Sequence, residues 1–434
     1  MKTINLCFRV HQRINLKRYR FFEIGTDHYY YDDYQNEANM RRAAEACYLA
    51  ANRLFLDMIE SSNGRFKVSF AITGLALEMF EQYFPEVIES FRRLADTGCV
   101  EFISTPYAHS LASVYDEDEF VRQVKFHADK TYDLFGQRPT VFANSALTYS
   151  DEIGECVSRL GYSAVIVEGA KHVMGWKSPH YIYSHAHDPK LKLIVRDSKL
   201  SDDICYRFSQ WNWNEYPLTA DKFIGWIDQS PAEEEVFNIS MGYEALGLLN
   251  NSQSGIFDFF RALPSFAFEK GISFSLPSEV LVKRKSVGAL SVMYPMSWTD
   301  EEKDLSAWTG NELQHEALSK LYKLSERVSL CSDLTIKLDW LRLQDSAHFF
   351  FMATRHYVNS IQAFPMPYES PYEAFMNYMN VLADFMERVK AQYPSSIEDE
   401  ELNALLKTIH NQEQEIARLN GLLKKSRRRT AENE

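Results

Sequence analysis

Seven short runs of apolar and β-branched residues punctuate the first 250 positions: Ile4–His11, Lys67–Thr73, Val100–Pro106, Thr140–Ala146, Ala164–Gly169, Leu191–Asp197 and Val236–Glu244. Helical patterns separate them, which predicts repeated βαβ units. In Glu37–Glu60 an apolar stripe through Ala44, Cys47, Leu54 and Met58 stops at Ser61-Ser62-Asn63-Gly64, while Asp116–Gly136 opens on acids and closes on glycine. The strand runs are almost continuously apolar, so the parallel sheet they form is covered on its outer face, as a barrel or a doubly wound sheet. No GxGxxG and no phosphate-loop GxxxxGK pattern follows any run, and the barrel becomes the better reading.

After Lys285 the strand rhythm gives way to helical patterns over Thr299–Ser325, Leu334–Leu343 and Pro371–Tyr393. The expected organisation is an α/β barrel over residues 1–285, a helical bundle over 286–393 and an amphipathic, coiled-coil-like tail over 394–434. In that tail Leu402, Leu405, Ile409, Ile416, Leu419 and Leu423 recur at spacings of three and four, with Gln412 interrupting the seam. The tail thus offers a route to a homo-oligomer or a docked helix. The basic run Lys424–Arg429 complements the negative end of such a helix.

Composition narrows the function. Formal net charge is −13, from 47 Lys and Arg against 60 Asp and Glu, which disfavours nucleic acid as a partner. No run approaches about 18 uninterrupted apolar residues, and the first 20 positions lack an apolar signal core, so the expectation is a cytoplasmic protein with no membrane span. Six scattered cysteines (Cys7, Cys47, Cys99, Cys156, Cys205, Cys331) show no zinc spacing and read as reduced thiols. Aromatic residues reach 14%; most belong to the core, but flat rings also stack on sugar faces.

A parallel barrel carries its site at the C-terminal ends of its strands. The residues there are His11 and Gln12, Thr73, Thr105 with His109, Asn144 and Ala146, Glu168, Arg196 with Asp197, and Met241 to Glu244. They contain no nucleophile elbow. His185 and His187 in Ser184–Asp188 are the one metal-like spacing, and a solvated loop accounts for them. No metal and no cofactor is assigned.

These stretches resemble glycoside hydrolase family 57, in particular its α-amylase-type branch, over roughly residues 1–390. His11-Gln12 resembles the family's first region, Gly98–Leu111 with His109 its second, Phe142–Ile153 its third, Met241–Gly247 its fourth and Ser297–Gln314 its fifth. The resemblance implies a (β/α)7 barrel followed by a helical domain, consistent with the seven runs counted independently. It also implies an α-glucan or malto-oligosaccharide partner, met by His11, Gln12, His109, Glu244, Trp298 and Asp300. Asp300 has a second reading, since it or Thr299 could cap a helix.

Two departures govern the chemistry. Retaining hydrolysis needs a carboxylate nucleophile and a carboxyl acid/base about 5–5.5 Å apart. The residue matching the family's nucleophile is Ala146, and the one matching its acid/base is Gly242. Arg13 and Leu249 also differ from the family's usual Pro and His, and could fill the cleft. The expectation is an α-amylase-like protein without ordinary glycosidase chemistry that binds its sugar. The alternative is an active retaining α-glucan hydrolase or transferase using relocated carboxylates: Glu244, Asp151 or Glu152, or a substrate-assisted route through Glu168 or Asp197.

Overall fold

The computed structural model describes residues 1–355 and 363–392, together with positions 405, 408, 409, 412 and 416. The heptad-patterned tail and its basic end otherwise lie outside the described residues. The strands are β1 (Thr3–Val10), β2 (Val68–Ile72), β3 (Val100–Phe102), β4 (Val141–Ala143), β5 (Ala164–Val167), β6 (Ile182–His185), β7 (Lys192–Val195), β8 (Val236–Gly242), β9 (Ser273–Phe274) and β10 (Ala289–Leu290). Seven of them, one from each expected run, close a parallel ring. One half-sheet is ordered β3-β2-β1-β8 and the other carries β7-β5-β4. Single parallel bridges join them, Ser104 to Phe142 between β3 and β4 and Arg196 to Asn238 between β7 and β8. The fold is a (β/α)7 barrel.

Alternation along each strand divides the core in two. On β1, Ile4, Leu6, Phe8 and Val10 face the larger outer core shared with the helices. Cys7 faces inward, where it meets Ala71, Ile103, Val141, Ala143, Ala164 and Ile166. Small and branched side chains suit the narrow interior of a seven-stranded ring. The aromatic content is spent mainly on the outer core, where Tyr243 packs against Phe8, Tyr48, Phe55 and Phe70 with centroids 5.0–6.0 Å apart. All six cysteines are buried and free.

Four elements depart from the expectation. The helix read as continuous over Glu37–Glu60 is Asp33–Ala43 and Leu49–Ser61 joined by a π-helical turn at Ala44–Tyr48. Its wider spacing aims Tyr48 at Gln12 (2.6 Å) and Cys47 at the Tyr243 carbonyl (3.1 Å). Gly247 crosses this turn at φ +94°, where a Cβ would lie 1.8 Å from the Ala46 oxygen. Secondly, Ser184–Asp188 is a solvated loop only in part: Ser184 and His185 end β6, antiparallel to β7 with β10 beside it, and the exposed His187 follows in a bend. His185 is buried, with Nε2 on the Asp151 carbonyl (2.9 Å) and Nδ1 accepting from the His187 and Asp188 amides. Thirdly, β9 adds a short pairing beside the start of β1.

Lastly, Thr299–Ser325 is not one helix. Residues 297–304 form a loop, and helices run over Ser306–Thr309 and Glu312–Tyr322, the latter capped by Asn311. Asp300 and Lys303 adopt φ of 55° and 54°, which no helix continues through. The helices Leu334–Leu343 and Pro371–Gln392 form as read and dock on the segment after β1. Tyr31 donates to Asp339 and Tyr30 to Asp384, each at 2.5 Å, and Arg388 reaches Asp339 at 2.6 Å. No described helix is long and apolar enough to cross a membrane.

Beside β7 and β8, His180 lies between Asp197 (2.7 Å) and Glu234 (2.6 Å). Burial alone would lower its pKa, but the two carboxylates outweigh burial and raise it. The stabilisation is complete below the unfolded histidine pKa and fades as pH rises through the higher folded value. His180→Gln is therefore expected to cost about 2 kcal/mol at pH 5.5 and clearly less at pH 9, measured by urea unfolding. An equal loss at both values overturns the assignment.

Candidate functional site

A cavity of about 130 Å³ opens at the C-terminal ends of the strands. β1 and the residues after it supply Arg9, His11, Gln12 and Arg13; the end of β8 supplies Gly242, Glu244 and Leu249. His109, Tyr206, Trp298, Thr299 and Ser346 complete much of the wall. A smaller space of about 30 Å³ lies against it, shares Arg9, Tyr206, Gly242 and Trp298, and reaches Asn144 and Leu147 after β4.

Each side chain is held by its own neighbour. His11 Nδ1 meets Thr73 Oγ1 at 3.0 Å, and that hydroxyl also caps the helix Gly74–Tyr83. His109, at φ 53°, places Nδ1 2.9 Å from Ser346 Oγ. Burial, with His11 and Arg9 close by, holds His109 well below the usual imidazole range, so it is neutral. Trp298 donates its amide to the Ala146 carbonyl (2.9 Å), stacks on Tyr206 (6.4 Å, 14°) and carries the Arg9 guanidinium 5.2 Å from its ring. Its buried Nε1 has no hydrogen-bond partner among the described residues. Ala146 and Leu147 both adopt positive φ, 51° and 54°, so with His109 the loops after β3 and β4 both carry left-handed non-glycine residues.

The two positions that match the family's carboxylates are occupied differently. Ala146 is fully buried. At Gly242 a Cβ would lie 2.4 Å from Glu244 Oε2 and 3.7 Å from Arg9 Nη2. Glu244 thus occupies space that any side chain at 242 would claim. Burial raises its pKa, with Arg9 opposing. Glu152 is exposed on the first turn of the helix Asp151–Arg159, and the remaining candidate carboxylates are engaged elsewhere. Asp151 accepts from Ser291 and the Val292 amide, and Glu168 from Arg196 and Ser198. Asp197 caps Leu200 and binds His180.

Of the six sugar-contact residues expected, His11, Gln12, His109, Glu244 and Trp298 line the cavity. Asp300 neither lines it nor caps a helix: the wall here is Trp298 and Thr299, and its carboxylate lies 3.5 Å from Arg355. Arg13 and Leu249 line the cavity without closing it. Arg13 is drawn aside onto the Phe351 ring and the Pro365 carbonyl (2.5 Å), and burial lowers its pKa to about 10. Three residues went unanticipated. Arg9 had a signal, a charge on the inward face of an apolar strand; Asp345 and Tyr206 sit in stretches without a motif.

Comparison with known proteins agrees with this architecture. Residues 5–293 match the model of glycosyl hydrolase family 57. A protein of Methanocaldococcus jannaschii named "Putative alpha-amylase" is 33% identical over 374 residues, 83% of this chain and 79% of its own. A family 57 branching enzyme from Thermococcus kodakaraensis, crystallised with glucose, superposes with TM-score 0.65 at 13% identity, covering 93% of this chain and 94% of that one. The 4-alpha-glucanotransferase of Thermococcus litoralis superposes with TM-score 0.57 at 15% identity over 80% of this chain, which spans 56% of that longer protein. By sequence over two thirds of its length and by fold, the chain belongs to glycosyl hydrolase family 57.

Proposed function

We propose that this α-amylase-like member of the family binds an α-glucan or malto-oligosaccharide and does not hydrolyse it by the retaining route. The observation that carries this is an open cavity, walled by aromatic and hydrogen-bonding groups, with alanine and glycine at the two carboxylate positions. Alanine has no nucleophile and glycine no side chain, so neither role survives by pKa tuning. Trp298, backed by Tyr206 and Arg9, is the flat surface for a sugar ring.

Calorimetry of the full chain against a malto-oligosaccharide series, with reducing ends assayed afterwards, tests the reading. Saturable heat without new reducing ends is expected. Trp298→Ala is expected to weaken Kd about tenfold, near 1.4 kcal/mol. Absence of saturable heat across the series overturns it.

One observation favours the alternative of an active hydrolase or transferase. The Glu244 carboxylate stands in the space left by Gly242, and burial raises its pKa, the direction a general acid requires. New reducing ends that disappear in Glu244→Gln would establish that alternative in place of the binding protein.

A further inference from the structure

Three buried polar atoms, His11 Nε2 and His109 Nε2 on the cavity wall and Asp345 Oδ2 behind it, make no well-formed hydrogen bond among the described residues, although His11 Nε2 pairs with Asp345 Oδ2 at 3.2 Å. One ligand atom from each of the three residues lies within 4.8 Å of the others. Asp345 is wholly buried and His109 is 8% exposed. Buried donors and acceptors left unpaired are costly, and three sharing one point call for a common partner.

We propose that His11, His109 and Asp345 form a divalent-cation site of the zinc class, with the ion's open coordination position facing the cavity. Zinc–nitrogen and zinc–oxygen bonds of about 2.0–2.2 Å set ligand atoms about 3.4 Å apart around a tetrahedron, close to the His11–Asp345 separation. The far side of each ligand is already fixed, as metal-binding imidazoles require. His11 Nδ1 is held by Thr73 Oγ1 and His109 Nδ1 by Ser346 Oγ. The other Asp345 oxygen accepts from the Ala347 amide at 2.9 Å. The rings lie 4.3 Å apart and 20° from parallel, and a small fanning of His11, the more exposed, brings both lone pairs onto one ion.

The charges around the site are mixed. Glu244 adds a second carboxylate to the cavity, Arg9 lies close enough to act on His109, and Arg13 acts on Asp345 while bonding Pro365 and Asn15. Imidazole with carboxylate suits zinc over calcium or magnesium, which prefer oxygen ligands. An ion here would give this cavity a Lewis-acid position that takes a water, hydroxyl or carbonyl oxygen.

The inference does not depend on sugar binding, because its test uses the ion alone. The full chain is stripped with a chelator and titrated with zinc chloride by calorimetry. One ion per chain is expected, with at least 100-fold weaker binding in Asp345→Asn, which keeps the shape and the Ala347 bond, and in His109→Gln. His187→Ala, outside the cluster, is expected to bind as the parent does. The cobalt-loaded protein is expected to show the visible absorption of a four-coordinate ion, lost in the same two variants. No saturable binding, or undiminished binding in both folded variants, overturns the proposal.

Discussion

Replacing Arg196 with methionine is expected to remove about 3–5 kcal/mol of folding stability, a loss readable by urea denaturation at neutral pH. The guanidinium is 4% exposed and serves three partners at once. Nε donates to the Ser240 carbonyl at 2.6 Å, Nη1 to Glu168 at 3.1 Å and Nη2 to Asp202 at 2.5 Å. Burial alone would lower its pKa, yet the two carboxylates raise it, so the charge is held firmly. Methionine conserves much of the volume but takes the guanidinium from both carboxylates, leaving Glu168 beside Ser198 and Lys303. The cost is that of stranded charges rather than of a lost contact, and replacing all three members with apolar residues is expected to recover most of it. A single substitution costing under about 1 kcal/mol would show that the triad is not what joins β7 to β8.

The second large effect concerns rate. Installing both missing carboxylates, Ala146→Glu with Gly242→Asp, is expected to raise malto-oligosaccharide hydrolysis at least about a thousandfold, with either substitution alone giving little, because groups acting as a unit contribute together. At 242 the atoms nearest a new Cβ are the carboxylate end of Glu244 and the Arg9 guanidinium, both tips of flexible side chains, so Glu244 can yield. At 146 the left-handed backbone already accommodates a non-glycine residue. Reducing-end assays on both singles and the double decide it. A folded, sugar-binding double variant that stays inactive would mean that more than two side chains separate this cavity from its catalytic relatives.

The barrel was legible because its strands are largely apolar on both faces and each is followed within two residues by a polar one. The runs were read one to four residues too long at their C-terminal ends. Strand β1 stops at Val10 rather than His11, β3 at Phe102 rather than Pro106 and β8 at Gly242 rather than Glu244. That overrun has a physical meaning, since residues past the last ladder bond are those that turn into the cavity. The π-helical turn was invisible because its one-residue slip barely disturbs an apolar stripe. The loop at 297–304 was misread because acids after Trp298 look like a helix start, and nothing in Asp300 or Lys303 announces a positive φ. Asp345 joins His11 only through tertiary packing across more than 300 residues, so no local pattern could have paired them.

The two single-residue bridges that close the ring have a mechanical consequence. They divide the barrel into two rigid shells, one bearing Arg9, His11, Gly242 and Glu244 and the other ending in Ala146, Glu168 and Arg196. The smaller space at the barrel mouth spans both shells, with Arg9 and Gly242 on one side of the seam and Asn144 and Arg196 on the other. A molecule that touches both sides works as a clasp across the gap.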